Sequence, residues 1–353
     1  MAGATGTRVF SGRARINYLS TMRFDEEFLA AIESVGDDVE VRQVSVSSAE
    51  EIDDEVWAQV DVLHTGSVVC HPSRAPRLRW VQVDTSGVDH LRSEPLWDSD
   101  IPITTIGGVS PVPLAEYVMW AVLGTAHRLP ALLETRERRR WPGPDERWAR
   151  MLPAPVRGAT LGILGYGRIG REIGRLGRVF GMDVLAVRRT PGSPARAADH
   201  YDPSAELQPS ADAPVQVFGP DGLHEVLGRS DYLVVVLPLT EQTAGMLDAQ
   251  ALGALKDSAV IINVARGGIV DEDALRAALR SGRVRAAVLD VFADEPLAPD
   301  DPWWDEPNVL VTPHVSGLAP AYAEQVLEIV SQNLRRLREG RSLLNVVDRT
   351  LGY

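Results

Sequence analysis

The sequence predicts an α/β protein of two domains, each built on a parallel sheet. Three observations carry that expectation. From Thr160 onward, apolar runs of strand length alternate with helix-length segments, the pattern of right-handed βαβ units. Runs such as YLVVVLP and AVIINV are apolar throughout, as strands covered on both faces require. The 353 residues are enough for two separate cores.

Taken in order, residues 1–108 read as a small α/β domain. Helical periodicity fits Asp25–Val35, and strand-like runs occur at Val39–Val44, Val60–His64, Arg79–Val83 and Ile101–Thr104. A long apolar segment, Val112–Leu133, predicts one helix entering the second domain; Glu116, His127 and Arg128 interrupt it, so it does not read as a membrane helix. Strands follow at Thr160–Leu164, Asp183–Val187, Tyr232–Leu237, Ala259–Val264, Val284–Leu289 and Asn308–Val311. Helices are predicted at Arg168–Phe180, Leu223–Gly228, Asp248–Leu255 and Asp271–Ser281, the last stopped by Gly282. Thr190–Gly222, rich in proline, reads as an irregular surface insertion in which Val215–Phe218 is a candidate short strand. The helix Ala321–Arg338 is expected to return to the first domain, making that domain discontinuous: 1–108 with 318–353, around 109–317.

Composition narrows the function. Hydrophobic residues make up 44% and charged residues 24%, as in ordinary soluble proteins. A net charge of −13 argues against nucleic acid or an anionic membrane as partner, and Arg136–Arg140 reads as a solvated helix face. Cys70 is the only cysteine, so no internal disulfide can form. The opening MAGATGTRVFSGRAR lacks an apolar core and does not read as a signal peptide. A cytoplasmic protein without a metal is the expectation.

The most specific local signal is a glycine turn, Gly165-Tyr166-Gly167-Arg168-Ile169-Gly170. A bare GxGxxG is weak in a chain with 30 glycines. Here it follows the strand TLGIL and opens a helix, so peptide N–H groups and the helix dipole meet at a site suited to a pyrophosphate. Gly165 would allow the tight turn, Gly167 the approach of phosphate, and Gly170 the close packing of helix on strand. At the end of the second strand an NAD site usually carries an acid that accepts from the ribose hydroxyls. This chain has Arg188, Arg189 and Thr190 instead. Arginine cannot accept those bonds, but it binds a 2′-phosphate through two N–H groups. NADP(H) is therefore preferred, with NAD(H) possible; the competing reading has these arginines covering the adenine or facing solvent.

Three ionisable residues each stand just past a later strand: Arg266 in INVARGG, Glu295 in LDVFADEP and His314 in LVTPHVSG. Ligands of open parallel sheets bind at the carboxyl ends of the strands. Reduction of a 2-oxoacid adds hydride to the carbonyl carbon and a proton to its oxygen. Arg266 suits the carboxylate and the carbonyl dipole, and His314 suits the proton transfer. Glu295, hydrogen-bonded to His314, would orient the ring and favour its charged form. Pro313 restricts the backbone before His314. Singly, each residue has an ordinary structural reading; their joint placement on successive strand ends favours function.

These blocks, with VDTSGVDHL, GGVSPVPLAEYVM, LGILGYGRIG, VVVLPLTEQTAGML and INVARGGIVDEDAL, resemble the D-isomer-specific 2-hydroxyacid dehydrogenases through nearly the whole chain. The resemblance implies two Rossmann-like or flavodoxin-like domains with the active site in the cleft between them. It implies the catalytic roles of Arg266, Glu295 and His314, and a carboxylate-binding turn at Thr85-Ser86-Gly87-Val88, whose Ser86, Gly87 and Val88 would bind the substrate anion with Arg266. Leu237, Pro238, Thr240 and Thr243 would flank the nicotinamide, Asp290 would accept from its carboxamide, and Val236, Val264 and Ala265 would form walls beside Arg266 and His314. The Arg188-Arg189-Thr190 turn is similar to that of the NADP-using glyoxylate/hydroxypyruvate reductases. A homodimer is implied, with Leu129–Trp148, including Trp141 and Trp148, as the arm; the alternative is a solvated helix whose tryptophans anchor on their own domain.

Related phosphite-oxidising proteins carry lysine where Ser86 stands, and formate-oxidising ones carry glutamine where Glu295 stands, which lowers both readings. A dinucleotide-sensing corepressor of the same fold stays open, because such proteins keep the same three residues. Two departures stand out: the length of the 190–222 insertion, and Ala319 where many relatives have threonine.

Overall fold

The computed structural model describes residues 15–191, 200–201 and 215–353. They divide into two compact units. The first holds 15–109, 200–201 and 320–353; the second holds 110–191 and 215–319.

The first unit is a five-stranded sheet of order β2-β1-β3-β4-β5. Its strands are β1 (Ile16–Ser20), β2 (Val39–Gln43), β3 (Val62–Thr65), β4 (Trp80–Val83) and β5 (Ile103–Thr104), and every pairing is parallel. Helix α1 (Glu26–Glu33) is capped by Asp25, whose carboxylate accepts from the Phe28 amide at 2.8 Å. A short α2 (Asp54–Trp57) seats Trp57 in full burial. Strand β1 was not among the predicted strands, although it lies inside the sheet. INYLS places Asn17 and Ser20 among its apolar residues, and Ser20 is buried, so its polarity masks its position. The Trp80 indole donates to Thr104 Oγ1 at 2.7 Å across β4 and β5, which satisfies a polar atom that burial would otherwise strand.

The second unit is a seven-stranded sheet of order β12-β11-β10-β9-β6-β7-β8. Its strands are β6 (Thr160–Leu164), β7 (Asp183–Val187), β8 (Gln216–Phe218), β9 (Tyr232–Val235), β10 (Val260–Asn263), β11 (Ala286–Leu289) and β12 (Val309–Val311), again all parallel. The candidate strand Val215–Phe218 is present as β8. The order runs outward in both directions from β6, so the chain reverses direction between β6 and β9; at such a switch point an open sheet leaves a crevice. Four strands, β9, β10, β11 and all but the first residue of β6, are buried along their length, which explains their unbroken apolar sequences.

The helices of this unit are α3 (Pro111–Ala126), α4 (Leu129–Glu137), α5 (Pro144–Arg150), α6 (Arg168–Val179), α7 (Leu223–Arg229), α8 (Ala249–Gly253) and α9 (Glu272–Arg280); α10 (Tyr322–Arg338) belongs to the first unit. The single helix predicted over Val112–Leu133 is two helices. Arg128 adopts a left-handed backbone (φ 58°) between them, and Pro130 has no N–H to continue the ladder and would crowd the Ala126 carbonyl. Aspartates cap α8 and α9, with Asp248 accepting from Ala251 and Asp271 from Ala274. Among the described residues no helix is long and apolar enough to cross a membrane.

Most of the 190–222 insertion (192–199 and 202–214) lies outside the described residues. Tyr201 departs from the expected surface segment. It is 4% exposed, its hydroxyl donates to Glu328 on α10 at 2.6 Å, and its amide donates to Asn345 Oδ1 at 3.1 Å. An aromatic ring with a satisfied hydroxyl gains more from burial than from solvent.

Candidate active site

Strands β10, β11 and β12 are adjacent and parallel, so their carboxyl ends share one edge. Arg266, Glu295 and His314 leave the sheet from that edge, one after each strand. The structure joins two of them directly: His314 Nδ1 and Glu295 Oε2 are 2.7 Å apart. The other Glu295 oxygen accepts from the Phe292 amide at 2.9 Å, which fixes the carboxylate's direction. With Nδ1 committed to Glu295, Nε2 is the nitrogen left to exchange a proton with a ligand. The pair is partly open to solvent, with side chains 49% and 34% exposed.

His314 is one of the non-glycine residues with positive φ (52°). Such a conformation costs about 1–3 kcal/mol and persists only where neighbours enforce it. Asp290, directly after β11, enforces it here. Its carbonyl accepts from the His314 amide at 2.9 Å. Its carboxylate accepts from the Thr312 hydroxyl at 2.6 Å and the amides of Val315 and Ser316 at 3.0 and 2.9 Å. The side chain expected to meet a carboxamide is thus 1% exposed and holds the histidine's own loop, because the amides of the neighbouring strand's exit lie within its reach.

Arg266 stands at the start of a tight turn over Gly267–Ile269. Buried Asn263 secures that exit: its Nδ2 donates to the Arg266 carbonyl at 3.0 Å and its Oδ1 accepts from the Ala265 amide at 3.1 Å. Arg266 Nη1 reaches the Ala265 carbonyl at 2.8 Å. Gly267 then packs against the loop that carries Glu295: a Cβ there would lie 1.9 Å from the Phe292 carbonyl carbon and 2.1 Å from the Ala293 nitrogen. The arginine's turn and the glutamate's loop are therefore in backbone contact.

The glycine turn separates its three glycines by role. Gly165 has φ 105°, and a Cβ there would meet the Val236 carbonyl at 2.4 Å. A Cβ on Gly170 would meet the Gly165 carbonyl at 2.1 Å. A Cβ on Gly167 would meet nothing within 4 Å among the described residues. The first and third are demanded by close packing at the switch between β6 and β9; the second faces open space at the start of the 12-residue α6, where a phosphate needs room and N–H groups. The residues present fit a dinucleotide.

The sequence profile described as D-isomer specific 2-hydroxyacid dehydrogenase, NAD binding domain, matches residues 119–316. The chain belongs to the D-isomer-specific 2-hydroxyacid dehydrogenases. With them it belongs to the NAD(P)-dependent oxidoreductases. It is 32% identical to a glyoxylate reductase of Aeropyrum pernix over 285 residues, 78% of each chain. It is 28% identical to the D-3-phosphoglycerate dehydrogenase of Methanocaldococcus jannaschii over 336 residues, 94% of this chain, and spans 59% of that relative's length. Among solved structures, a family member from Xanthobacter autotrophicus in complex with NADPH and MES superposes with a TM-score of 0.78 at 29% identity, covering 96% of this chain and all of the other. An NADPH-dependent glyoxylate/hydroxypyruvate reductase from Sinorhizobium meliloti, in complex with NADP and sulfate, gives 0.76 at 26% identity with the same coverage.

The remaining positions singled out on family grounds fall as follows. Arg188 is half-buried, while Arg189 and Thr190 are exposed, at the exit of β7; the Arg188 amide donates to the Phe218 carbonyl at 2.9 Å. The Tyr166 ring packs on Gly174 of α6, and Ile169 packs against the apolar core beneath that helix. Beyond β9, Thr243 closes the turn after Leu237: its hydroxyl donates to the Pro238 carbonyl at 2.6 Å and accepts from the Thr240 amide at 2.8 Å. Val264 and Ala265 are buried. Ser86 and Gly87 lie in the first unit, exposed and half-buried, with Val88 buried beside them. The Thr85 hydroxyl donates to the Gly87 carbonyl at 2.6 Å.

Sequence reasoning missed several polar networks, in each unit. Glu272, the first residue of α9, accepts from the Ala293 amide at 2.6 Å and from the Trp303 indole at 3.0 Å, tying down the loop before Glu295. In the first unit, fully buried His64 has Tyr18 Oη at 2.6 Å from Nδ1 and Asp84 Oδ1 at 3.3 Å from Nε2. Asp84 directly precedes the Thr85–Val88 turn. Burial, and secondly the Asp84 charge, pushes the Tyr18 phenol well up, which keeps it a proton donor. A lone histidine within a strand carries no sequence signal of such a network.

The glycine geometry makes a paired prediction. Gly267→Ala must displace backbone and should cost about 1–3 kcal/mol or more, read as a lowered Tm with loss of turnover. Gly167→Ala should leave Tm unchanged. An unshifted Tm for Gly267→Ala would contradict the contact described.

Proposed function

We propose that this chain reduces a small 2-oxoacid to the D-2-hydroxyacid, reversibly, with NADPH as the preferred donor and glyoxylate or hydroxypyruvate as substrate. The observation that carries the reading is the 2.7 Å contact between His314 Nδ1 and Glu295, on loops that also pack against the Arg266 turn. A bound nicotinamide dinucleotide supplies the hydride. Arg266 holds the substrate carboxylate and polarises the carbonyl through its donor fork. His314 delivers the proton from Nε2 to the developing alkoxide and recovers it in the reverse direction. Glu295 fixes the ring's tautomer and orientation. Ser86, Gly87 and Val88 contribute to binding the anion. NADPH preference is supported by arginines, in place of an acid, at the exit of β7, and by the NADPH and NADP complexes of the similar structures; the glyoxylate reading is supported by the named activities of similar proteins.

We further propose a homodimer through α4 and α5. Trp141 and Trp148 are 87% and 70% exposed, which disfavours the alternative that they anchor on their own domain. The arm is internally braced by Arg140 to Glu146 and Arg150 to Glu134. Contiguous exposed apolar patches mark association surfaces, and a dimer contact would cover both rings.

Initial rates with NADPH and NADH against glyoxylate, hydroxypyruvate, pyruvate, phenylpyruvate and branched 2-oxoacids test the reading directly. Tight dinucleotide binding with no turnover of any of these would favour a sensor. His314→Gln should bind NADPH normally and lose about 10²–10⁴-fold in kcat; near-wild-type turnover would remove His314 from the mechanism. Replacing Arg188 and Arg189 with an aspartate-containing turn should raise KM for NADPH about tenfold or more while changing KM for NADH little; equal changes would reject the 2′-phosphate assignment. Sedimentation velocity should show a dimer that Trp141→Ser with Trp148→Ser weakens; a monomeric wild-type chain at micromolar concentration would end the arm proposal.

A further inference from the structure

Helix α3 has no assigned part in the reaction, yet it grips both ends of the segment that carries His314. At one end, the Ser110 hydroxyl donates to the Gly317 carbonyl at 3.0 Å. At the other, Tyr117 Oη lies 2.5 Å from Thr312 Oγ1. Ser110, the N-cap of α3, and Tyr117 are two helical turns apart and so share a face. The proton order between the hydroxyls follows from chemistry. Thr312 lies 2.6 Å from Asp290 Oδ1, and an ionised carboxylate only accepts. The threonine proton therefore points to Asp290, and Tyr117 donates to the threonine's lone pair. Asp290 in turn holds the amides of Val315 and Ser316 through its carboxylate and the His314 amide through its carbonyl.

We propose that the hydroxyl chain Tyr117–Thr312–Asp290 is a positioning device for His314, holding the imidazole in its left-handed backbone conformation so that Nε2 meets the substrate oxygen. Tyr117 and Thr312 are positioning residues, since they act through Asp290 and the loop. The Thr312 hydroxyl takes one bond in, from Tyr117, and passes one on, to Asp290, so the carboxylate's orientation is set from the helix and not by the loop alone. Burial pushes the Tyr117 phenol up to about 12, against a smaller lowering by the Thr312 contact, so it stays a donor throughout the usual assay range. This inference rests on reading His314 as the proton donor.

The test compares Tyr117→Phe, Thr312→Val, Thr312→Ser and the double variant Tyr117→Phe/Thr312→Val in the full chain. It uses whichever oxoacid of the panel the wild type turns over best, with NADPH affinity followed by fluorescence titration. Tyr117→Phe and Thr312→Val should each lower kcat, the latter by about 10- to 100-fold as expected for a misplaced catalytic group, with NADPH Kd within about twofold of wild type. Thr312→Ser, which keeps the hydroxyl, should restore kcat. The double variant should be no worse than Thr312→Val, because a chain broken once is broken. The proposal is overturned if both single variants keep wild-type kcat, if Thr312→Ser is as impaired as Thr312→Val, or if kcat and Kd are lost in parallel. Tyr117→Phe keeps the ring in place and decides the matter if a Thr312 variant does not fold. His314→Gln separates the two levels: if it stays active, the proton-donor reading fails; if it is inactive while Tyr117→Phe and Thr312→Val are unimpaired, only the positioning chain fails.

Discussion

One buried carboxylate organises the edge of the second unit from which Arg266, Glu295 and His314 leave the sheet. Asp290 sits at the end of β11 with almost no exposure, and a carboxylate in that position must be fully hydrogen-bonded or be very costly. Its donors come from the segment leaving β12, so satisfying the charge and shaping the histidine's loop are the same event. The left-handed His314 is stable because the bonds made on either side of it outweigh the backbone strain. The placement of a reactive side chain thereby rests on polar groups that need not touch the substrate.

A second constraint is close backbone packing between neighbouring exits. Gly267 lies against Phe292 and Ala293, and Gly165 against Val236; within its own turn, Gly170 of α6 lies against Gly165. In a parallel sheet the exits of adjacent strands emerge side by side, and these loops approach too closely for a Cβ. Arg266 and Glu295 stand on these packed exits, and the loop before Glu295 is also held by Glu272, which accepts from the Ala293 amide and the Trp303 indole. Pre-organisation of this kind lowers the cost of arranging catalytic groups at the moment of reaction. Gly167 contrasts with the others: the space where its Cβ would stand is open among the described residues, as a phosphate-binding turn requires.

The legible parts of the chain were those in which local pattern and burial agree. The continuous apolar strands of the second sheet were readable because both faces are covered, and the aspartate caps of α1, α8 and α9 marked helix starts. Strand β1 was not readable, because Asn17 and Ser20 interrupt it and Ser20 is buried by tertiary contacts. The break between α3 and α4 was present in Pro130 but obscured by the surrounding apolar run. Tyr201 read as part of a surface insertion because nothing local announces Glu328 and Asn345, which are more than a hundred residues away in the chain.

What the sequence determined by itself is the α/β class, the glycine turn, and the identity of Arg266, Glu295 and His314 as residues at strand exits. These follow from periodicity and from residue chemistry at fixed short spacing. Only the tertiary structure decided that Glu295 meets Nδ1 and leaves Nε2 for the proton, that Asp290 serves the histidine's loop, and that Tyr117 and Ser110 reach that loop from α3. Those contacts join residues up to about two hundred positions apart. Hydrogen bonds depend on distance and angle in space, and one-dimensional spacing carries no record of either.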